Sequence, residues 1–156
     1  MPKLTIGMAH YNDYHGVYFT IQSLKMYHDC EDVELLVIDN SPNTKHGKLV
    51  SGLIKGWSGN IQAKYIPFND VNSTTQTRQK IFDVASGDYV LVIDCHVLLW
   101  KDSVKKLIEF YDVNPDTKNL YTGPLLYDDT MTFCTHFDLI WRGIVTGKHH
   151  KIQLIF

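Results

Sequence analysis

Asp94 and His96 stand two positions apart at the end of the apolar run Tyr89-Val90-Leu91-Val92-Ile93. With the turn signal Gly87-Asp88 in front, the run reads as a buried strand. Side chains alternate along a strand, so a carboxylate and an imidazole spaced by two point the same way. A hard oxygen donor beside a borderline nitrogen donor suits a divalent cation, Mn²⁺ first and Mg²⁺ second. Two other expected strand ends carry polar clusters, Ala9-His10-Tyr11-Asn12 and Asp39-Asn40-Ser41. Open α/β sheets bind ligands at the carboxyl ends of their strands, so the three clusters are expected to meet in one crevice. There is no GxxxxGK[ST] or GxGxxG loop to cradle phosphates. A diphosphate would instead be neutralised by a cation held at Asp94 and His96, together with a basic side chain such as Arg78.

The elements that must position these residues follow from periodicity and turn chemistry. Leu4–Ala9, Glu34–Asp39, Ala63–Pro67 and Tyr89–Asp94 read as strands, the second closed by the turn signal Asn40-Ser41-Pro42-Asn43. Val17–Tyr27 carries apolar residues at helical spacing, and Leu49–Ile54 is a short helical stretch ended by Gly56–Gly59. Ser73–Ala85 is a helix with a Ser73/Gln76 capping box and Gly87 just past its end. Ser103–Tyr111 is an amphipathic helix before Asn114-Pro115. This alternation of strand and helix implies an α/β fold: a doubly wound, Rossmann-like, mainly parallel sheet with helices on both faces. After Lys118 the pattern changes. Leu120–Tyr127 and Met131–Trp141 read as strands, and the apolar ending Ile152–Phe156 is expected to pack or pair as a strand. There is no internal repeat or low-complexity segment.

At 156 residues the chain is one domain's worth, and 44% hydrophobic with 21% charged residues is ordinary for a globular protein. A formal charge of −2 and a pI near 6.4 give no electrostatic support for nucleic-acid binding. No apolar run approaches the roughly 20 residues that span a bilayer, and Met1–Ile6 shows no signal-peptide pattern. Cys30, Cys95 and Cys134 form no CxxC pair, and an odd count argues against a disulfide framework. A reducing, cytoplasmic setting is the simplest expectation.

In these residues the chain resembles the GT-A fold glycosyltransferases of the family 2 type, over Leu4–Tyr111 or roughly two-thirds of its length. Leu4-Thr5-Ile6-Gly7-Met8-Ala9-His10-Tyr11-Asn12 is similar to the family's opening strand, which usually ends in Pro-Thr-Tyr-Asn. Glu34–Ser41 is similar to its second strand with a terminal Asp. Thr77-Arg78-Gln79-Lys80-Ile81, then Ala85-Ser86-Gly87-Asp88-Tyr89, resembles the family's Ala-Arg-Asn helix and the Ala-x-Gly-Asp-Tyr lead into the metal strand. Asp94-Cys95-His96 stands at the Asp-x-Asp position, in the Asp-x-His form of the polypeptide N-acetylgalactosaminyltransferases.

The resemblance implies a metal-dependent transfer of a sugar from a nucleotide donor, UDP in first place, to an acceptor the sequence does not name. It implies a nucleotide site of His10, Tyr11, Asn12, Asp39, Arg78 and Asp94. Tyr11 would border a uracil ring, and Asp39 would accept from the imide N–H. Arg78 would face the diphosphate, and Asp94 would reach ribose and metal. Metal ligands would be Asp94 and His96, with a further histidine from His136, His149 or His150, His149 first. His10 replaces the family's usual Thr. No later Glu-Asp motif is present, which leaves Asp138 and Asp128 as base candidates, Asp138 first. The expected organisation is a single domain over 1–156, with a donor-binding part at 1–118 and a short acceptor-side part at 119–156.

Each feature also has a plainer reading. Asp94 could be a buried strand-end carboxylate, His96 a helix-entry residue satisfied by backbone, Tyr11 a surface aromatic, and Arg78 a solvated charge with its stem along apolar surface. Cys95 must alternate away from its neighbours and is expected to point into the fold, inert. Trp57, Trp100 and Trp141 read as packing residues. Two other functions compete: a non-catalytic nucleotide-sugar-binding module lacking its acceptor half, and a flavodoxin-like receiver whose strand-end Asp is an acceptor or Mg²⁺ site.

Overall fold

Leu4–His10 forms the strand β1, which pairs in parallel on both sides, with β2 (Val33–Asp39) and with β4 (Tyr89–Asp94). β3 (Gln62–Pro67) adds to the far side of β2, giving a four-stranded sheet in the order β3-β2-β1-β4. Four helices alternate with the strands: α1 (Tyr14–Tyr27), α2 (Lys45–Lys55), α3 (Thr74–Val84) and α4 (Ser103–Val113). The computed structural model describes residues 1–59, 61–69, 73–123 and 126–127. The chain divides into two units, Met1–Val113 and Asn114–Phe156.

Period-two alternation sorts the core into two layers. Leu4, Ile6 and Met8 of β1 join Val33, Leu35 and Val37 of β2 against Val17, Ile21 and Leu24 of α1, Val50 and Ile54 of α2, and Val104 of α4. The intervening Leu36 and Ile38 face the other way, onto Ile81 of α3. Helices therefore cover both faces, as the strand–helix alternation predicts. Full burial of each such Leu, Ile or Met side chain contributes about 1.5–3 kcal/mol. On the α3 face β1 carries Thr5, Gly7 and Ala9. A Cβ at Gly7 would lie 2.1 Å from Ile81 Cγ2, so the glycine sets how closely α3 approaches β1.

α1 and α2 start earlier than apolar periodicity alone indicates, because polar caps extend them. Asp13 accepts from Gly16 N at 2.9 Å and starts α1 at Tyr14. Thr44 Oγ1 accepts from Gly47 N at 3.0 Å and starts α2 at Lys45. Ser73 Oγ accepts from Gln76 N at 3.4 Å and starts α3, the serine half of the expected capping box.

A buried carboxylate fixes the lead into β4. Glu34, fully inaccessible on the α3 face of β2, accepts from Lys64 Nζ at 2.5 Å, Thr5 Oγ1 at 2.8 Å and Ser86 N at 2.9 Å. Thr5 Oγ1 in turn accepts from Gly87 N at 2.9 Å. Burial alone would raise the Glu34 pKa, but these donors outweigh it and hold the carboxyl at about 2. One side chain thus ties β1, β2 and β3 to the turn from which β4 runs toward Asp94.

In the second unit, Thr117 Oγ1 lies 2.9 Å from Tyr121 Oη, and Asn119 Nδ2 donates to the same hydroxyl at 3.3 Å. The strand expected at Leu120–Tyr127 is not seen over 120–123, where the chain is irregular, and Leu126 makes a single bridge. The expected strand at Met131–Trp141 and the segment Ile144–Phe156 lie outside the described residues.

Candidate functional site

The register lines up all four strand ends at one edge: His10 pairs with Asp39, Asp39 with Pro67, and Ala9 with Asp94. The edge is shared, but alternation sends its polar side chains to two faces. His10 and Asp39 follow the α1/α2 face, whereas Asp94 follows Val90 and Val92 onto the α3 face.

On the α1/α2 face a buried network surrounds Asp39. Its side chain is inaccessible, and Oδ1 accepts from His10 Nδ1 at 2.8 Å, Ser41 N at 2.7 Å and Ser41 Oγ at 3.0 Å. Oδ2 accepts from Tyr65 Oη at 2.6 Å. Burial pushes the Asp39 pKa up, but the donors from His10, Tyr65 and Ser41 prevail and hold it below the ordinary value. Burial and this carboxylate together push the Tyr65 phenol well above its usual range. His10 is equally enclosed, and its Nε2 accepts from Asp13 N at 3.0 Å. That acceptor role assigns the proton to Nδ1, so the ring is a neutral bridge between Asp39 and the loop after β1. Ser41 Oγ makes the parallel link, accepting from Asn12 N at 2.7 Å. Asn12 takes a left-handed φ of 52°, which Asn tolerates better than most residues. The loop held in this way presents Tyr11 with 65% of its surface exposed.

The β4 end is gripped from α1. Thr20, buried in α1, donates to Cys95 O at 3.2 Å and Val97 O at 3.0 Å, on either side of His96. β4 ends at Asp94, and Cys95 and His96 form the following turn, yet the alternation persists: Cys95 is buried between a half-exposed Asp94 and an exposed His96. Asp94 and His96 take different partners. Asp94 pairs with Arg78 of α3, whose side chain is 44% exposed. His96 Nδ1 lies 3.2 Å from Asp13 Oδ2. Asp13, Cys95 and His96 form a trio of possible metal-binding donors, all within 4.8 Å of one another.

The chemistry of this trio is uneven. Burial resists ionisation of Asp13, but bonds from Gly16 N–H and His96 hold its pKa below the ordinary value. Burial, then the Asp13 carboxylate, push the Cys95 thiol up to about 12. Its Sγ lies 3.8 Å from Asp13 Oδ2, consistent with a thiol donating to the carboxylate. An oxygen- and nitrogen-preferring cation such as Mn²⁺ therefore suits the Asp13 carboxylate and the His96 imidazole of this trio, while Cys95 serves as wall.

Sequence reasoning brought His10, Tyr11, Asn12, Asp39, Arg78, Asp94 and His96 to this edge. It placed Ser41 there only as part of the Asp39-Asn40-Ser41 cluster, and it missed Asp13, Thr20 and Tyr65. Asp13 carried a signal, an Asx residue three positions before Gly16 at a helix start. Asn40, the half-buried residue after Asp39, donates its N–H to His10 O at 2.9 Å, continuing the ladder past the strand. Asp138, Asp128, His136, His149 and His150 lie outside the described residues.

The family model for glycosyl transferase family 2 matches residues 5–141. The chain belongs to glycosyl transferase family 2. No curated protein sequence matches it. Among solved structures, the fold is similar to TarS 1-349 of S. aureus (TM-score 0.62, 14% identity, covering 95% of this chain and 47% of that one). The same protein in complex with UDP-GlcNAc aligns at TM-score 0.58 and 16% identity, over 77% of this chain and 37% of that one. The mannosyltransferase PcManGT from Pyrobaculum calidifontis, in complex with GDP-Man and Mn²⁺, aligns at TM-score 0.60 and 14% identity, over 70% and 32%. The chain thus spans less than half the length of these proteins. At such identities the likeness establishes the fold, an α/β architecture of the GT-A kind. Among the described residues no helix is long and apolar enough to cross a membrane.

Proposed function

We propose that this family 2 chain binds a nucleotide-diphosphate sugar, UDP-linked in first place, with a divalent cation, Mn²⁺ before Mg²⁺, and transfers the sugar to an acceptor. The observation that carries the reading is the grouping at one sheet edge of an exposed aromatic (Tyr11), a half-exposed Arg78–Asp94 pair and the exposed His96 beside Asp13. A diphosphate with a bound cation needs this combination of a base platform, a cation for the phosphates and hard donors for the metal. The donors in the two complexes of similar fold, UDP-GlcNAc in one and GDP-Man with Mn²⁺ in the other, agree in chemical class.

In this reading Tyr11 borders the base, Arg78 turns from Asp94 to the diphosphate, and Asp94 and His96 hold the cation. The Asp94-Cys95-His96 order supports an Asp-x-His version of the Asp-x-Asp motif, as in the polypeptide N-acetylgalactosaminyltransferases. Bound there, the cation supplies Lewis-acid stabilisation of the departing diphosphate. Asp39 and His10 act from behind, holding the Tyr11 loop; for Asp39 to accept from a uracil imide, Tyr65 must first leave Oδ2. Residues 1–118 form the donor part and 119–156 the acceptor side, where Asp138 is the base candidate and His149 a further metal ligand.

The test is turnover. Purified protein with UDP-GlcNAc, other UDP-sugars or GDP-Man, and Mn²⁺, should release nucleoside diphosphate, and Asp94→Ala should abolish release. Donor binding without turnover for any of these would instead identify a nucleotide-sugar-binding module.

A further inference from the structure

We infer that His10 is a positioning residue that builds the nucleotide-side loop and the metal-side pair as one unit. The inference rests on the donor reading above and goes beyond it, because His10 itself touches neither ligand. Its side chain is inaccessible and both ring nitrogens are committed. Four contacts run in series. Tyr65 Oη donates to Asp39 Oδ2, and Asp39 Oδ1 accepts from His10 Nδ1. His10 Nε2 accepts from Asp13 N, and Asp13 Oδ2 meets His96 Nδ1. The series crosses the edge from β3 to the turn after β4. Along it, Asp13 is the hinge point: its backbone is fixed by His10, its Oδ1 caps α1 through Gly16 N, and its Oδ2 faces His96. A residue without an acceptor at the Nε2 position frees the Asp13 backbone, and the Asp13 carboxylate then loses its alignment on His96. The same freedom reaches Tyr11 and Asn12 in the loop between. A His that merely filled the core would need only its Asp39 bond.

Two variants separate the arms. Asn in His10→Asn keeps a donor near Nδ1 for Asp39 but offers nothing to Asp13 N. Gln in His10→Gln carries a carbonyl toward the Nε2 position but forfeits the Asp39 bond. Mn²⁺ binding is read by electron paramagnetic resonance, UDP binding by calorimetry, and Tm in parallel. We expect His10→Asn to weaken Mn²⁺ binding about tenfold, the scale of an outer-shell loss, and to weaken UDP binding measured without metal. His10→Gln should keep Mn²⁺ affinity close to wild type despite a lower Tm. Wild-type Mn²⁺ affinity in His10→Asn, or losses in both variants that follow Tm alone, overturns the inference. Should neither variant fold, ¹⁵N-histidine spectra of the wild type decide. The inference expects an Nδ1–H tautomer at His10 and a shift of the His96 ring resonances when UDP binds without metal; an unmoved His96 overturns it. A wild type that binds neither UDP nor Mn²⁺ takes down the donor reading and this inference together. One that binds both while His10→Asn is indistinguishable takes down this inference alone.

Discussion

Asp13 Oδ2 and His96 Nδ1 lie 3.2 Å apart although 83 positions separate them in sequence. The contact joins the first turn of α1 to the end of β4, and it exists because a glycine leaves room. A Cβ at Gly16 would stand 2.3 Å from Asp13 Oδ2 and 2.8 Å from His96 Cβ. Close approach of a helix N-terminus to the strand end is thus written into residue 16, one helical turn from the cap.

Gly16→Ala should therefore destabilise the fold even though Ala is the better helix former. The lost cap costs about 1 kcal/mol, and displacement of His96 adds to it, against a propensity gain of roughly 1 kcal/mol or less. Denaturant unfolding should show a net loss, with weaker Mn²⁺ binding. A variant as stable as wild type that binds Mn²⁺ equally would refute the steric account.

Glu34 predicts an acid limb in stability. Its carboxyl is held at about 2 against an ordinary 4.5, so the folded pKa is depressed. The contribution is complete above pH 4.5 and is lost as pH falls toward 2, with a size on the order of 2–3 kcal/mol once screening on the exposed Lys64 side is allowed for. Unfolding free energies between pH 2 and 5 should fall steeply for wild type and less steeply for Glu34→Gln. Equal slopes would remove Glu34 as the source.

Tyr65→Phe withdraws the hydroxyl from Oδ2 of Asp39, whose own side chain has no solvent access. An unsatisfied buried acceptor costs about 1–3 kcal/mol, and the Asp39 pKa should move up toward its ordinary value. Chemical denaturation at neutral pH checks the first and the pH dependence of stability the second. A change within about 0.5 kcal/mol, the scatter of a neutral surface substitution, would show the bond to be idle.

Arg78→Ala separates the two claims made for one guanidinium. It should weaken UDP binding by about 10- to 100-fold, the worth of charge-assisted hydrogen bonds to a diphosphate. It should also strengthen binding of Mn²⁺ alone, because Asp94 loses its competing partner. Calorimetry with each ligand singly gives both numbers. Unchanged UDP affinity would return Arg78 to the role of a surface ion pair.

Much of this was legible in the residues, for identifiable reasons. Three apolar runs with polar ends, a shorter fourth strand and capped helices between them are local signals, and a parallel sheet converts strand ends into one edge without further information. The faces were harder to read. Asp39 and Asp94 both close strands, yet one is sealed under α2 with four donors and the other meets Arg78 at a half-exposed surface. Terminal position does not distinguish them; cross-strand packing does. Tyr65 was hidden because its strand is short and its hydroxyl finds Asp39 only through the β2–β3 register. Cys95 was readable, since alternation between exposed neighbours leaves it only the interior, where the structure has it.

The central claim is that the edge formed by β1, β2 and β4 binds a nucleoside diphosphate together with a divalent cation. Calorimetric titration of the protein with UDP, with and without Mn²⁺, tests it most directly. The account predicts UDP binding that Mn²⁺ strengthens and that His96→Ala and Asp94→Ala reduce to the metal-free level. Absence of UDP binding at any Mn²⁺ concentration, from a protein shown to be folded, would contradict it.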